Sequence, residues 1–248
     1  MKKKDLFVIT SAIIAANDKI FSKEERFLQT IQTIESIGKF ACNYDIAILE
    51  ISEFQLPPEY IEVLYDLKVQ VFYLYESPRI LHNYLICKNQ DEDMHMLKNL
   101  NELAALEIFW EWLSDRKSEI EKYGRIFKLS GRYCLNENFD QNVHHIAKDK
   151  MVFLKSCPSY LIRENSSMGL SYVYMCRLWS IDMGLFDKMG IWLEIMNHAL
   201  VACLQDGYYI DSEHLYALIV PEKYISFCSI IGVEGLVCHP DAQNRLYE

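Results

Sequence analysis

The sequence predicts an α/β fold, with a mostly parallel central sheet flanked by helices. Three observations lead there. Short β-rich runs alternate with helical patterns over about the first 135 residues, the order that builds parallel strands joined by crossover helices. The strand run over residues 44–52 is apolar at nearly every position rather than alternating, as in strands covered on both faces. With 51% of the 248 residues hydrophobic and 13% aromatic, the chain can fill a sizeable core and is not a disordered one.

The elements follow in order. Leu6-Phe7-Val8-Ile9-Thr10 is a first strand, continuing towards Ile13-Ile14. Ser22 followed by Glu25 is a capping box, and Phe27, Ile31, Ile34 and Ile37 recur at helical spacing, so a helix runs from there to about Ile37. Residues 44–52 are a second strand, Pro57-Pro58 opens a short helix, and residues 69–75 are a third strand. Leu100, Leu103, Leu106, Phe109, Trp110 and Leu113 place a long helix over 98–120, and Arg125–Leu129 is the fourth strand, ending in Ser130-Gly131-Arg132-Tyr133. Later come strands at 151–154 and 159–163, a helix over 187–204, a helix opened by Asp211-Ser212-Glu213-His214 with Ser212 as its cap, and an extended segment at 233–239. No linker or break in composition interrupts the chain. We expect one domain over 1–248, with a Rossmann-like nucleotide-binding half (1–140) and a smaller acceptor-binding half (141–248).

Charge and cysteine usage narrow the function. There are 35 Asp+Glu against 25 Lys+Arg, a net charge of -10, which argues against general binding to nucleic-acid backbones. One small anionic ligand stays compatible, since a pocket needs only a few local cations. The 8 cysteines are scattered, with no C-x-x-C pair, so they read as reduced, partly buried thiols rather than zinc ligands. No secretory signal stands at the start, because Asp5 and then Asn17-Asp18-Lys19 interrupt the apolar run. No stretch reaches the ~18–20 apolar residues of a membrane span. The expected location is the cytoplasm.

Familiar catalytic motifs are missing: G-x-G-x-x-G, the P-loop, H-E-x-x-H and G-x-S-x-G. The chemistry is therefore sought where open α/β sheets bind ligands, at the rim formed by the strands' C-terminal ends. The residues there are Thr10, Ser11, Glu50, Ser52, Glu76, Ser77 and Ser130 to Tyr133. The last group carries the best signal. Strand alternation puts Lys128, Ser130 and Arg132 on one side. Gly131 admits a close backbone or ligand. Arg132 offers a planar fork for phosphate, and Tyr133 a ring or a hydroxyl. The plainer account, a strand end with a surface Arg and a buried Tyr, fits the same residues.

Glu-Glu-Arg-Phe-Leu-Gln-Thr-Ile-Gln-Thr over 24–33, Leu49-Glu50-Ile51-Ser52, Lys98-Asn99-Leu100-Asn101-Glu102-Leu103-Ala104 and Phe127-Lys128-Leu129-Ser130-Gly131-Arg132-Tyr133 together resemble small GT-A-type glycosyltransferases of surface-polysaccharide biosynthesis. The resemblance covers roughly residues 5–140, and the Lys128–Tyr133 run is its most specific part. It implies a GT-A-like fold and a nucleotide-sugar donor at the rim. Thr10, Ser11 and Glu50 would cradle the nucleoside, Arg26 would contact phosphate or base, and Lys98, Asn101 or Glu102 would lie near the donor. It also implies a glycan or lipid-linked glycan acceptor.

The chain departs from the family at the end of the fourth strand. An Asp-x-Asp motif there usually holds a divalent metal, Mn or Mg, on the diphosphate; this chain has Ser130-Gly131-Arg132. Lys128 and Arg132 would instead neutralise the leaving diphosphate as a cationic clamp. Asp91-Glu92-Asp93 is a literal Asp-x-Asp, but it sits in a polar stretch and reads as a solvated loop. His239 falls where some family members place a metal-binding His, with a structural histidine as the alternative. Glu213 is the candidate base for the acceptor hydroxyl, although an acid at a helix start is also favoured by the helix dipole. Tyr172, Tyr174, Trp179, Trp192, Tyr208 and Tyr209 crowd the second half; they suit an acceptor groove, but core packing explains most of them better. The expected function is glycosyl transfer from a nucleotide-diphosphate sugar to a glycan. A non-catalytic nucleotide- or glycan-binding protein on the same fold is the alternative. A sugar-phosphate nucleotidyltransferase fits less well, since residues 11–17 contain no glycine.

Overall fold

The computed structural model describes residues 3–15, 21–87, 94–159, 170–239 and 242–248. In chain order its elements are β1 (Lys4–Ser11), α1 (Lys23–Phe40), β2 (Tyr44–Glu50), α2 (Pro58–Asp66), β3 (Gln70–Tyr73), α3 (Pro78–Cys87), α4 (Met94–Ser114) and α5 (Lys117–Ile120). Then come β4 (Tyr123–Ser130), β5 (Tyr133–Leu135), α6 (Gln141–Ile146), β6 (Met151–Leu154), β7 (Cys157–Pro158), β8 (Tyr172–Val173) and β9 (Leu178–Asp182). The chain continues through α7 (Phe186–Gln205), α8 (Ser212–Ile219), β10 (Ile225–Cys228), β11 (Val233–His239) and β12 (Ala242–Tyr247).

A seven-stranded sheet in the order β10-β6-β9-β4-β1-β2-β3 organises the molecule. Only β9 runs against the others. The mostly parallel sheet flanked by helices is therefore present, and it draws strands from both halves of the chain. A small sheet, β12-β11-β5, and the β7–β8 hairpin lie beside it.

The central strands are buried on both faces, which explains their many apolar residues. On β1, Leu6 and Val8 join the core under α4 and α7, while Phe7 and Ile9 join the core under α1 and α2. Helix α1 starts as its capping box dictates: Ser22 Oγ accepts the Glu25 N–H at 3.2 Å and Glu25 returns a bond to the Ser22 N–H at 2.8 Å. Such a cap contributes about 1 kcal/mol. Helix α4 is buried around most of its circumference. Leu100, Leu103, Ala104, Leu106, Phe109, Trp110 and Leu113 are all buried, because the helix packs between the sheet and the flanking α3 and α7. Trp110 Nε1 donates to the Phe186 carbonyl at 2.9 Å, which ties α4 to α7.

Several expectations are corrected here. The helix expected over 98–120 begins at Met94 and stops at Ser114; a separate short helix, α5, follows. Helix α3 was not foreseen. The strand expected at 159–163 falls mostly outside the described residues, and pairing is found at Cys157–Pro158 instead. Asp211, not Ser212, caps α8, since its carboxylate accepts the His214 N–H at 3.0 Å. No helix among the described residues is long and apolar enough to cross a membrane.

Candidate active site

The strand order divides between β1 and β4: β2 and β3 lie on one side of β1, and β4 with β9, β6 and β10 on the other. Open α/β sheets bind ligands over the strand ends at such a divide. Those ends are Ser11, Glu50 and Ser130.

The corner after β4 is tightly held. The Gly131 N–H donates to the Thr10 carbonyl at 2.9 Å. A Cβ on Gly131 would lie 3.2 Å from that oxygen and 3.3 Å from both Ile9 Cγ2 and Ser11 Cβ, so glycine is what lets the two strand ends meet. Helix α1 fixes the corner from below. Thr30 Oγ1 lies 3.1 Å from Ser11 Oγ, and Thr33 Oγ1 donates to the Tyr133 carbonyl at 3.0 Å. Arg132 is thereby carried on a fixed backbone at the rim, half-buried.

Lys128 does not face an open cleft. It is fully buried, and its Nζ bonds Ser130 Oγ at 2.9 Å, the Cys176 carbonyl at 3.0 Å and Glu102 Oε1 at 2.5 Å. The physical reason is charge balance: Glu102 comes off the sheet-facing side of α4 directly above the strand, and a buried ammonium needs such a counter-ion. Ser130 stands on the same side as Lys128, as alternation requires.

Around this pair gathers a charged cluster. Burial alone would raise the Glu102 carboxyl, but Lys128, then Lys98 and more weakly Arg132 pull it below the ordinary carboxylate value. Lys98 is exposed near the start of α4. Glu213, half-buried on the first turn of α8, is shifted the other way. Burial raises it; Lys98 opposes the rise while Asp211 and Glu102 add to it. Ser212 Oγ donates to Glu213 Oε2 at 3.1 Å, and the Ser212 N–H and Oγ reach Asn99 Oδ1 of α4 at 3.4 and 3.3 Å. The rim thus unites three cations with one carboxylate held low and one held high, on side chains from β4, α4, α8 and the corner after β4. Divergent carboxyl environments of this kind separate an electrostatic role from a proton-accepting one.

The remaining candidates lie close by with other partners. Glu50 is fully buried, and its Oε1 accepts the N–H groups of Ile13 and Ser52, both at 3.1 Å, together with the Ser52 hydroxyl. It therefore shapes the loops after β1 and β2 from within. Thr10 and Ser11 are buried beneath the same loops. Arg26 Nε donates to the Phe21 carbonyl at 3.4 Å at the entrance to α1. Tyr133 turns into the core on the α1 face, with the Arg177 guanidinium 5.8 Å from its ring centre. Asn101 is buried, bonded by Asn83 Nδ2 at 3.1 Å. His239 ends β11, and its side chain, like Asp91-Glu92-Asp93, lies outside the described residues. Sequence reasoning missed Asn99 and Ser212 as partners. The available signal was the run of polar residues 99, 101 and 102 on an otherwise apolar helix.

The position that holds a metal in many proteins of this fold carries a hydroxyl, a glycine and a guanidinium. This donor set does not fit a divalent cation, which takes carboxylate oxygens. Among the described residues no group of three or more His, Cys, Asp or Glu side chains is placed to hold a metal. A cleft of about 720 Å³ between α3, α4 and α7, walled by Arg79, Glu107, Glu111 and Glu194, opens on the face of α4 opposite Glu102 and touches none of the rim.

The fold is of the GT-A glycosyltransferase type. The chain resembles core-mannan synthase A (CmsA/Ktr4) of Aspergillus fumigatus in its Mn/GDP form, with a TM-score of 0.55 at 8% identity over 91% of this chain and 73% of that one. It also resembles the mannosyltransferase Ktr4p of S. cerevisiae, with a TM-score of 0.54 at 10% identity over 91% of this chain and 68% of that one. No protein-family model and no curated protein matches the sequence.

Proposed function

We propose that the chain is a glycosyltransferase that moves a sugar from a nucleotide-diphosphate donor to a glycan or lipid-linked glycan, in the cytoplasm, in surface-polysaccharide biosynthesis. One observation carries the reading: at the switch point of a GT-A-type sheet, a buried Lys128–Glu102 pair feels the charges of Lys98 and Arg132, and Lys98 also acts on Glu213, whose proton affinity is raised. Residues 1–248 are read as one domain, supported by the sheet that takes strands from both halves.

In this reading the nucleoside lies over the loops that Thr10, Ser11 and Glu50 build, beside Arg26. The diphosphate meets Arg132 and Lys98 at the corner of Ser130, Gly131 and Tyr133. Lys128 neutralises Glu102 beneath the corner, so that the charges of Arg132 and Lys98 are left for the diphosphate. Glu213 takes the proton of the acceptor hydroxyl. The acceptor oxygen forms a bond to the anomeric carbon, and the bond from that carbon to the phosphate oxygen breaks, its electron pair leaving with the diphosphate. Exposed Tyr208 and Tyr209 next to α8 suit the apolar face of an acceptor sugar.

The test is calorimetry and turnover with UDP-, GDP- and CMP-sugars, each with manganese and with EDTA. At least one donor should bind and turn over, and turnover should survive EDTA. Arg132→Ala should lower it roughly 100-fold or more with an unchanged melting curve. Full activity of that variant removes Arg132 from the mechanism. Binding without turnover in every arm selects the non-catalytic binding protein.

A further inference from the structure

The first turn of α8 is bolted in place by a buried chain of three side chains. Asp211 Oδ1 accepts the His214 backbone N–H at 3.0 Å and also contacts His214 Nδ1 at 2.6 Å. The far side of the ring, Nε2, lies 2.8 Å from Ser159 Oγ. Asp211, His214 and Ser159 are 2%, 0% and 6% exposed, so the chain is sealed from solvent. Ser159 follows β7, and its N–H donates to the Ser171 carbonyl at 3.0 Å, just before β8. Beyond β8, the Tyr174 N–H donates to the Glu213 carbonyl at 3.2 Å. The β7–β8 pair therefore grips the first turn of α8 at two points, the Glu213 carbonyl and the His214 ring.

We propose that Asp211, His214 and Ser159 are positioning residues that hold the Glu213 carboxylate at its working place in the cluster. The proposal rests on the reading of Glu213 as the proton acceptor. The order Asp–His–Ser matches that of a nucleophilic triad, but the hydroxyl here is enclosed and the ring is wholly buried, which suits a strut. An acid on a helix's first turn is free to swing with the fraying end unless that turn is tied down. A hydrogen-bonded tie fixes distance and orientation together, where an apolar contact would permit sliding. Displacement of a reacting group by about 1 Å lowers rates by as much as 100-fold.

Ser159→Ala removes one link and Ser159→Thr keeps the hydroxyl. With the full chain and a donor that turns over, Ser159→Ala should lower kcat roughly tenfold or more while donor KM stays put. The acid limb of the kcat profile should move, and Ser159→Thr should restore both. The Glu213 carboxyl titration, followed by 13C NMR and assigned with Glu213→Gln, should be displaced in Ser159→Ala and restored in Ser159→Thr. A folded Ser159→Ala with wild-type kcat and an unmoved Glu213 titration overturns the proposal. If the wild-type protein transfers no sugar, the base reading fails and the titration alone decides the strut. If Ser159→Ala fails to fold, His214→Asn, which keeps a donor towards Asp211 and loses the link to Ser159, carries the same comparison.

Discussion

Strand β4 buries two cations completely, Arg125 near its foot and Lys128 near its head, and their surroundings differ in kind. Arg125 is enclosed by groups that serve the fold. It donates to Ser180 Oγ at 2.9 Å, to the Lys150 carbonyl at 3.3 Å and to the Ala147 carbonyl, with Asp182 at 3.6 Å. Burial lowers its affinity for a proton to about 10 despite Asp182 and Asp5. The neighbouring His144, bonded to Ser180 Oγ at 2.8 Å, is driven down to about 3 by burial and by Arg125, and stays neutral. Lys128 instead contacts a carboxylate directly, beneath an exposed Lys98 and a half-buried Arg132. Buried charge alone does not mark a site. The rim stands apart because its charges continue outward to solvent and because one of its acids is displaced upward.

That contrast can be tested from the foot of the strand to the head. Arg125→Met strands the acceptors of a buried guanidinium and should destabilise the protein by about 3–5 kcal/mol, measured by denaturant melts, while donor affinity of the folded fraction holds. At the head, Lys128→Met leaves Glu102 buried and unpaired and should destabilise by about 3 kcal/mol. The double variant with Glu102→Gln should recover much of that loss, a coupling within the ~0.5–3 kcal/mol of contacting pairs. Both versions should bind donor more weakly, in contrast to Arg125→Met. Additive effects at Lys128 and Glu102 would mean that the two do not act as a pair.

The smallest effect is one of pH. Glu213 is held above its ordinary value of 4.5, so it favours the fold most at low pH, and this contribution fades as pH rises through its folded value. Glu102 is held below 4.5; its contribution is present above that value and is lost as pH falls through its folded value. On acidification, activity should therefore fall first, at a pH above 4.5, with the melting temperature still unaffected by Glu102. Loss of activity and fold in one step would separate Glu213 from the rate.

Much of the nucleotide-side architecture was legible. The apolar runs of β1, β2 and β4 mark strands covered on both faces, and the Ser22/Glu25 pair marks the start of α1. Gly131 pointed to a close approach, and the partner is the end of β1. Less legible were α3, whose leucines look outward at Leu81 and Leu85, and β5 and β12; the extended segment at 233–239 is β11, but its pairing with the distant β5 was not foreseen.

What the sequence determined by itself is local: periodicity sets which residues face the core, and caps and glycines set where elements start and meet. Alternation alone placed Lys128 and Ser130 on one face. Only the tertiary structure decided that Lys128 is bound to Glu102, that Asn99 and Ser212 join α4 to α8, and that Glu213 stands beside Lys98. Those relations depend on how helices far apart in the chain settle on one sheet, and electrostatic partners are chosen by distance and burial, which sequence spacing does not encode.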